Sequence, residues 1–134
     1  MSVPFNAHRG LVHVYAEVAG HAGVGIVRLA LDTGAIKTVI NHRALVGLGY
    51  EPAASGETTE VTTASGVERV PLLPIRKIRA LGREQRDFPV LCHTLPPRTG
   101  VDGLLGLDFL RGYILTVDFP KGRITLSAPS SAAS

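Results

Sequence analysis

The stretch Leu31-Asp32-Thr33-Gly34-Ala35, entered from the apolar residues Leu29 and Ala30, decides how this chain is organised. Burying a carboxylate is costly, so we expect hydrogen bonds, a counter-charge or a shared proton to compensate Asp32. Gly34 leaves room for another backbone or a ligand beside the carboxylate. The Thr33 hydroxyl can bond to neighbouring main chain and keep the turn rigid. The pattern predicts a fixed acid at the floor of a cleft.

Composition indicates one domain built mainly from strands. A chain of 134 residues supports a single domain with a modest core. Hydrophobic residues make up 45% of it, but aromatic residues only 5%, so aliphatic side chains must form the core. With 15 Gly and 9 Pro in a chain rich in Val and Thr, many short strands are favoured over helices. We therefore expect an all-β fold.

The order of apolar runs and turn residues divides the chain into elements. Residues 11–18 alternate apolar and polar side chains, as in a half-buried strand. Asn41 is a good cap for a helix over 42–48, and Gly106 opens a second short helix over 107–111. We assign 1–10 to an N-terminal segment, 11–126 to the domain and 127–134 to a disordered tail. The other predicted strands are 24–31, 38–40, 58–63, 67–70, 74–80, 88–93, 113–117 and 123–126.

The β-prone runs 58–63 and 67–70 are joined by a short turn. Their outward-facing side chains are polar, and Ser65-Gly66 is a strong tight-turn signal. This pattern predicts a hairpin that stands in solvent. It is also the pattern of an ordinary surface hairpin.

Two motifs carry a resemblance to a known family. Leu31-Asp32-Thr33-Gly34-Ala35 resembles the active-site signature of the aspartic proteases, and the chain contains it once. The segment from Val101 to Leu110, with Leu104-Leu105-Gly106 at its centre, is similar to the hydrophobic-hydrophobic-Gly segment of that fold. Order and spacing agree from about Leu11 to Leu126. The chain is therefore similar to the single-motif, retropepsin-like branch.

The resemblance implies a fold and a set of site residues. It implies a retropepsin-like barrel with one or two short helices, a flap hairpin and closure by two-fold dimerisation. Pepsin-like relatives carry an aromatic residue in the flap, and this hairpin has none. The implied site consists of the catalytic Asp32, the active-site turn residues Thr33, Gly34 and Ala35, the flap residues Thr63, Ala64, Ser65 and Gly66, and the second-half loop residues Leu104, Leu105 and Gly106.

Peptide hydrolysis by this chemistry needs a second carboxylate. Two carboxylates that share one proton can activate a water and protonate the substrate in turn. Asp102 and Asp108 are not followed by Thr or Ser and then Gly, so we read them as a loop residue and a helix-start residue. The remaining route is an isologous dimer that brings two copies of Asp32 together. Thr33 would then bond across the two-fold axis, as its counterpart does in the family.

Two functions are consistent with these features. The favoured one is a homodimeric aspartic endopeptidase acting on peptide or protein substrates. The alternative is a non-catalytic peptide-binding or protein-interaction module on the same dimeric fold. A third reading makes Asp32 a purely structural acid in a turn. Fold resemblance alone does not supply a substrate.

Other partners and cofactors are not expected. The net charge is only +3, and the basic residues are scattered without an aromatic platform, so no nucleic acid is expected. The five histidines show no zinc-ligand spacing, so neither a metal nor a cofactor is expected. The apolar run over 104–115 is interrupted by Asp108 and Arg111, and 1–10 lacks the apolar region of a signal peptide. The lone Cys92 is consistent with a reducing compartment, and we expect a cytoplasmic protein without membrane association.

Overall fold

The computed structural model describes residues 1–130 as an all-β domain with two short α-helices. The helices are α1 (His42–Gly47) and α2 (Leu107–Leu110), and Pro52–Ala54 and Pro97–Thr99 form single 3₁₀ turns. The strands are β1 (Ser2–Pro4), β2 (His13–Gly20), β3 (Gly23–Leu31), β4 (Val39–Ile40), β5 (Thr58–Thr63), β6 (Gly66–Ala80), β7 (Arg83–Cys92), β8 (Gly103–Leu105), β9 (Ile114–Asp118) and β10 (Arg123–Ser127).

Six strands close into a barrel. The larger sheet has the strand order β2-β3-β8-β4-β7-β6-β5, and β2 also pairs with β6. This second pairing joins the ends of the sheet and leaves β5 outside the ring. The β5–β6 hairpin therefore projects from the barrel, as the polar pattern of the two runs predicts.

Strand β6 is longer than the sequence suggests. The runs 67–70 and 74–80 are parts of one 15-residue strand. Its first part pairs with β5 as far as Pro71, and its pairing with β7 begins at Leu72. Proline is disfavoured within a ladder because it lacks an N–H. Pro71 is tolerated because it lies where β6 changes partners.

The three-stranded sheet β1-β10-β9 holds both terminal regions. Strand β1, within the N-terminal segment, pairs with β10, and β10 pairs with β9 in the predicted closing hairpin. Ser127, which was predicted to lie in the tail, is the last residue of β10. Of the rest of the predicted tail, residues 131–134 lie outside the described residues.

Alternation along the strands places an aliphatic core inside the barrel. Val14, Ala16 and Val18 of β2 are buried, which confirms the predicted face of that strand. The large side chains that are almost completely buried include Leu29, Ile40, Leu45, Ile75, Ile78, Leu105, Phe109 and Ile124.

Both helices are short, and a side chain caps the start of α1. The Asn41 side chain accepts a hydrogen bond from the Ala44 N–H at 2.7 Å, which confirms the predicted cap of α1. Within residues 1–130, no helix has the length and apolar character needed to cross a membrane.

Candidate active site

Asp32 lies immediately after β3, in a turn that fixes its backbone and side chain. Its N–H donates to the Leu105 carbonyl at 3.0 Å, and its own carbonyl accepts from the Ala35 N–H at 3.2 Å. Its Oδ1 accepts a hydrogen bond from the Gly34 N–H at 2.8 Å. The carboxylate is therefore oriented by its own turn, and the turn is attached to β8.

The turn is more exposed in the single chain than the sequence pattern predicts. Asp32 is half-buried, and Thr33 and Gly34 are exposed. Ile36 is 74% exposed, which is unusual for an isoleucine next to a motif residue. Residues 1–130 therefore leave this end of the barrel largely uncovered in a single chain.

Gly34 keeps the carboxylate accessible. A Cβ at this position would lie 3.1 Å from Asp32 Oδ1, so any side chain would crowd the acid. Its φ is not in the left-handed region, so the effect of a side chain here would be one of space. The approach of another backbone or a ligand to Gly34 stays a prediction.

The second motif segment packs directly against the active-site turn. Leu31 of β3 pairs in parallel with Leu105 of β8. A Cβ on Gly106 would lie 2.7 Å from the Lys37 carbonyl carbon and 2.8 Å from the Ala35 carbonyl oxygen. Only glycine permits this crossing of the two backbones, which explains the glycine that ends Leu104-Leu105-Gly106.

A buried hydrogen-bond network joins the same two segments. Thr38 is completely buried, and its N–H lies 3.0 Å from each carboxylate oxygen of Asp108. The Thr38 hydroxyl donates to Asp108 Oδ1 at 2.7 Å and accepts from the Gly106 N–H at 3.1 Å. Sequence reasoning assigned Asp108 to the start of α2 and missed its bond to Thr38. The only sequence signal for this hydrogen bond was that a threonine follows the Asp-Thr-Gly turn and an acid follows Leu104-Leu105-Gly106.

A groove of about 610 Å³ runs between the active-site turn and β5. Its walls include Gly34 and Ala35 on one side and Thr59 to Thr62 on the other. Val61 and Leu104 pack against a small cluster of buried side chains, Val39, Val70 and Leu91. Lys37 and Glu60 supply charged groups to an otherwise largely apolar lining. The groove has room for an extended apolar segment beside Gly34 and Ala35 of the active-site turn.

The predicted flap-tip residues are not part of this groove. Thr63 pairs with Gly66, so the two-residue turn is Ala64-Ser65, one residue earlier than the Ser65-Gly66 signal suggests. The Thr63 hydroxyl closes the tip by donating to the Gly66 carbonyl at 3.1 Å and accepting from the Ser65 N–H. Of the β5–β6 hairpin, the structure places β5 rather than the tip opposite Gly34 and Ala35.

The two acids of the second motif, Asp102 and Asp108, accept hydrogen bonds from distant parts of the chain. Asp102 Oδ2 accepts the Arg28 N–H at 2.8 Å, and Asp108 is occupied by Thr38. No cluster of three or more potential metal-ligating acids, histidines or cysteines occurs in residues 1–130. Burial raises the pKa of the Cys92 thiol, which disfavours a thiolate nucleophile. Of Asp32, Asp102 and Asp108, Asp32 is therefore the candidate for the catalytic acid.

A barrel that carries an Asp-Thr-Gly turn at the end of a strand is typical of the acid proteases. The family model described as gag-polyprotein putative aspartyl protease matches residues 16–112, and the chain belongs to this retropepsin-like family of aspartic proteases. A retropepsin-like aspartic protease from Rickettsia conorii has the same fold, with a TM-score of 0.71 at 18% sequence identity. That match covers 96% of this chain and 89% of the other. Comparison with curated proteins gives no match.

Proposed function

We propose that the protein is a homodimeric aspartic endopeptidase in which each chain contributes Asp32 to one catalytic pair. The observation that carries this proposal is the distribution of acids. Asp32 lies two residues before Gly34, which lines the groove, whereas Asp102 and Asp108 accept structural hydrogen bonds from Arg28 and Thr38. A second copy is then the source of the second carboxylate.

The reaction follows from two carboxylates that share one proton. One Asp32 of the pair is ionised and takes a proton from a water, whose oxygen attacks the peptide carbonyl carbon. The Asp32 of the other chain is protonated and donates its proton to the carbonyl oxygen. In the second step a proton passes to the amide nitrogen, the C–N bond breaks, and a carboxylic acid and an amine leave. The Gly34 N–H holds one carboxylate oxygen, so the acid is oriented before substrate binds.

Exposure of the turn supports pairing through this surface. Thr33, Gly34 and Ile36 are accessible in one chain although they adjoin the acid. A second copy placed over this end would cover them and leave the groove open at its side. Thr33 would then hydrogen-bond across the two-fold axis, and the exclusion of water would strengthen the interactions of the carboxylates.

The groove indicates which peptides fit. Val39, Leu91 and Leu104 favour an aliphatic side chain next to the scissile bond. The outer edge of β5 offers backbone groups to an extended peptide, and the β5–β6 hairpin would act as a flap. When this flap closes over the peptide, its tip residues would contact the substrate; they are Thr63, Ala64, Ser65 and Gly66. Lys37 and Glu60 would then influence which residues flank the cleaved bond.

A time course with a mixed peptide library tests the proposal. We expect new peptide termini to accumulate beyond one per protein chain, flanked by aliphatic residues, and to be suppressed by a pepstatin-type inhibitor with a central hydroxyl. Mass spectrometry of the products provides both readouts. Stoichiometric retention of peptides without cleavage would contradict the endopeptidase and favour the non-catalytic peptide-binding module.

A further inference from the structure

Lys37 carries an unpaired charge in the wall of the groove. It lines the groove and is half-buried, but no acid within residues 1–130 forms an ion pair with it. Lys77, by comparison, lies 3.8 Å from Glu84. An ammonium group that is partly removed from water is unfavourable unless a partner compensates it. A ligand that brings a carboxylate into the groove would provide that partner.

Glu60, the other charged residue of the groove, already has a partner. Its carboxylate lies 3.3 Å from the Arg69 guanidinium. Side chains alternate along β5, so Glu60 faces away from Val61, which packs against the buried cluster beside the groove. The charge that the groove presents to a bound peptide is therefore positive.

The backbone of Lys37 is fixed on the side away from the groove. Thr38 turns its side chain to Asp108, whereas Lys37 and Val39, on either side of Thr38, both line the groove. A Cβ on Gly106 would lie 2.7 Å from the Lys37 carbonyl carbon, so this backbone packs tightly against the second motif. Less ordering is needed on binding when a charged group is carried by a rigid backbone.

The active-site turn places Lys37 a short distance from Asp32. The Ala35 N–H donates to the Asp32 carbonyl at 3.2 Å, so the turn brings Ala35 back beside the acid. Lys37 follows two residues later, with its Cα at most about 7 Å from that of Ala35. An extended peptide advances about 3.3 Å per residue. Lys37 therefore lies opposite a peptide residue roughly two positions from the bond that Asp32 would cleave.

We propose that Lys37 selects peptides with an aspartate or glutamate about two positions from the cleaved bond. This inference rests on the proposed function and names its class of substrate, acidic peptides with aliphatic residues at the cleavage point. The peptide carboxylate would accept a charge-assisted hydrogen bond from the Lys37 ammonium. In the proposed dimer each chain brings one Lys37, so an acid is favoured on both sides of the cleaved bond.

Cleavage of matched peptides tests this preference. The peptides share one aliphatic cleavage point and carry Asp, Asn or Lys two positions before it, after it or on both sides. We expect kcat/KM to be about fivefold higher for the Asp peptides than for the Asn peptides, mainly through a lower KM, and lowest for the Lys peptides. Added salt should reduce the preference, because it screens a partly exposed pair of charges.

Substitutions at Lys37 identify the source of the preference. Lys37→Met keeps an unbranched stem without the charge and should make the Asp and Asn peptides equal. Lys37→Glu should reverse the preference in favour of the Lys peptides. Lys121→Met is the matched control, because it removes the same charge from an exposed turn between β9 and β10 and should keep the wild-type ratio.

The measured quantity is the ratio of kcat/KM for two peptides within one variant, which does not depend on the amount of folded protein. Equal cleavage of the Asp and Asn peptides by the wild type would overturn the inference. An unchanged ratio in Lys37→Met would overturn it as well.

Failure of this inference can be distinguished from failure of the proposed function. Cleavage without an acid preference that depends on Lys37 overturns the inference and leaves the endopeptidase intact. If no peptide is cleaved, fluorescence anisotropy of the same peptides, labelled at one end, measures binding. Tighter binding of the Asp peptides that Lys37→Met abolishes would support the acid preference and contradict the endopeptidase. Equal binding of all peptides, or none, would contradict both.

Discussion

Thr38 and Asp108, separated by 70 positions in sequence, form the tightest polar link between the two motif segments. The Thr38 hydroxyl donates to Asp108 Oδ1 at 2.7 Å, and the Thr38 N–H lies 3.0 Å from both carboxylate oxygens. Gly106 completes the network through its N–H. The conformation of the residues after Asp32 therefore depends on the start of α2.

Removal of this link should destabilise the fold. Asp108→Ala leaves a completely buried hydroxyl and N–H without their acceptor, so we expect the free energy of unfolding to fall by about 1–3 kcal/mol. Thr38→Val should cost a similar amount, and urea unfolding of the double variant should show strong non-additivity. Thr125→Val, in β10, is the control and should change stability little. Additive effects of the two single substitutions would contradict a direct coupling.

Gly106→Ala should distort the active-site turn. The added Cβ would meet the Lys37 and Ala35 backbone at 2.7–2.8 Å, and a backbone cannot rotate away as a side chain can. We expect lower thermal stability together with loss of peptide cleavage. Gly47→Ala is the matched control, because its Cβ would meet nothing within 4 Å and alanine favours the helix. Wild-type stability of Gly106→Ala would contradict the close crossing of the backbones.

Asp32→Asn should abolish catalysis and preserve the fold. Asparagine retains an oxygen that can accept the Gly34 N–H but cannot serve as a general base, so we expect a loss of about a thousandfold or more in kcat/KM. Circular dichroism and thermal melting should match the wild type. Asp87→Asn removes a charge from an exposed position and should leave activity unchanged. Cleavage by purified Asp32→Asn would refute the assignment.

The rate of cleavage should depend on pH with a bell shape and an optimum below neutrality. At low pH both carboxylates of the pair carry protons, so none can act as base. At high pH both are ionised, so none can act as acid. Initial rates measured across the pH range, with circular dichroism as a control for unfolding, give the profile. A flat profile from acid to alkaline pH would argue against two coupled carboxylates.

Local sequence patterns predicted the parts of the fold whose causes are local. Alternation identifies the buried face of β2, and Asn41 marks the start of α1 because its side chain caps the helix. The Asp32 turn and Gly106 were recognised through the resemblance of their two motifs to a known family. The structure adds that a Cβ on Gly106 would meet the backbone of Ala35 and Lys37.

Features that depend on distant parts of the chain could not be read in this way. The bond between Thr38 and Asp108 joins residues that only the folded barrel brings together. The continuity of β6 through Pro71 depends on a change of partner strand. The exposure of Asp32 depends on which other parts of the chain cover this end of the barrel. The local pattern, an apolar strand that leads into an acid, does not specify those parts.

A mixing experiment tests most directly whether two Asp32 side chains form one active site. Wild-type chains at fixed concentration are allowed to exchange with increasing amounts of Asp32→Asn chains, and peptide cleavage is measured at each ratio. If only dimers with two intact acids are active, activity should follow the fraction of wild-type partners and fall to about one half at equal amounts. Activity that stays constant while sedimentation shows that the chains have exchanged would contradict a site shared between two copies.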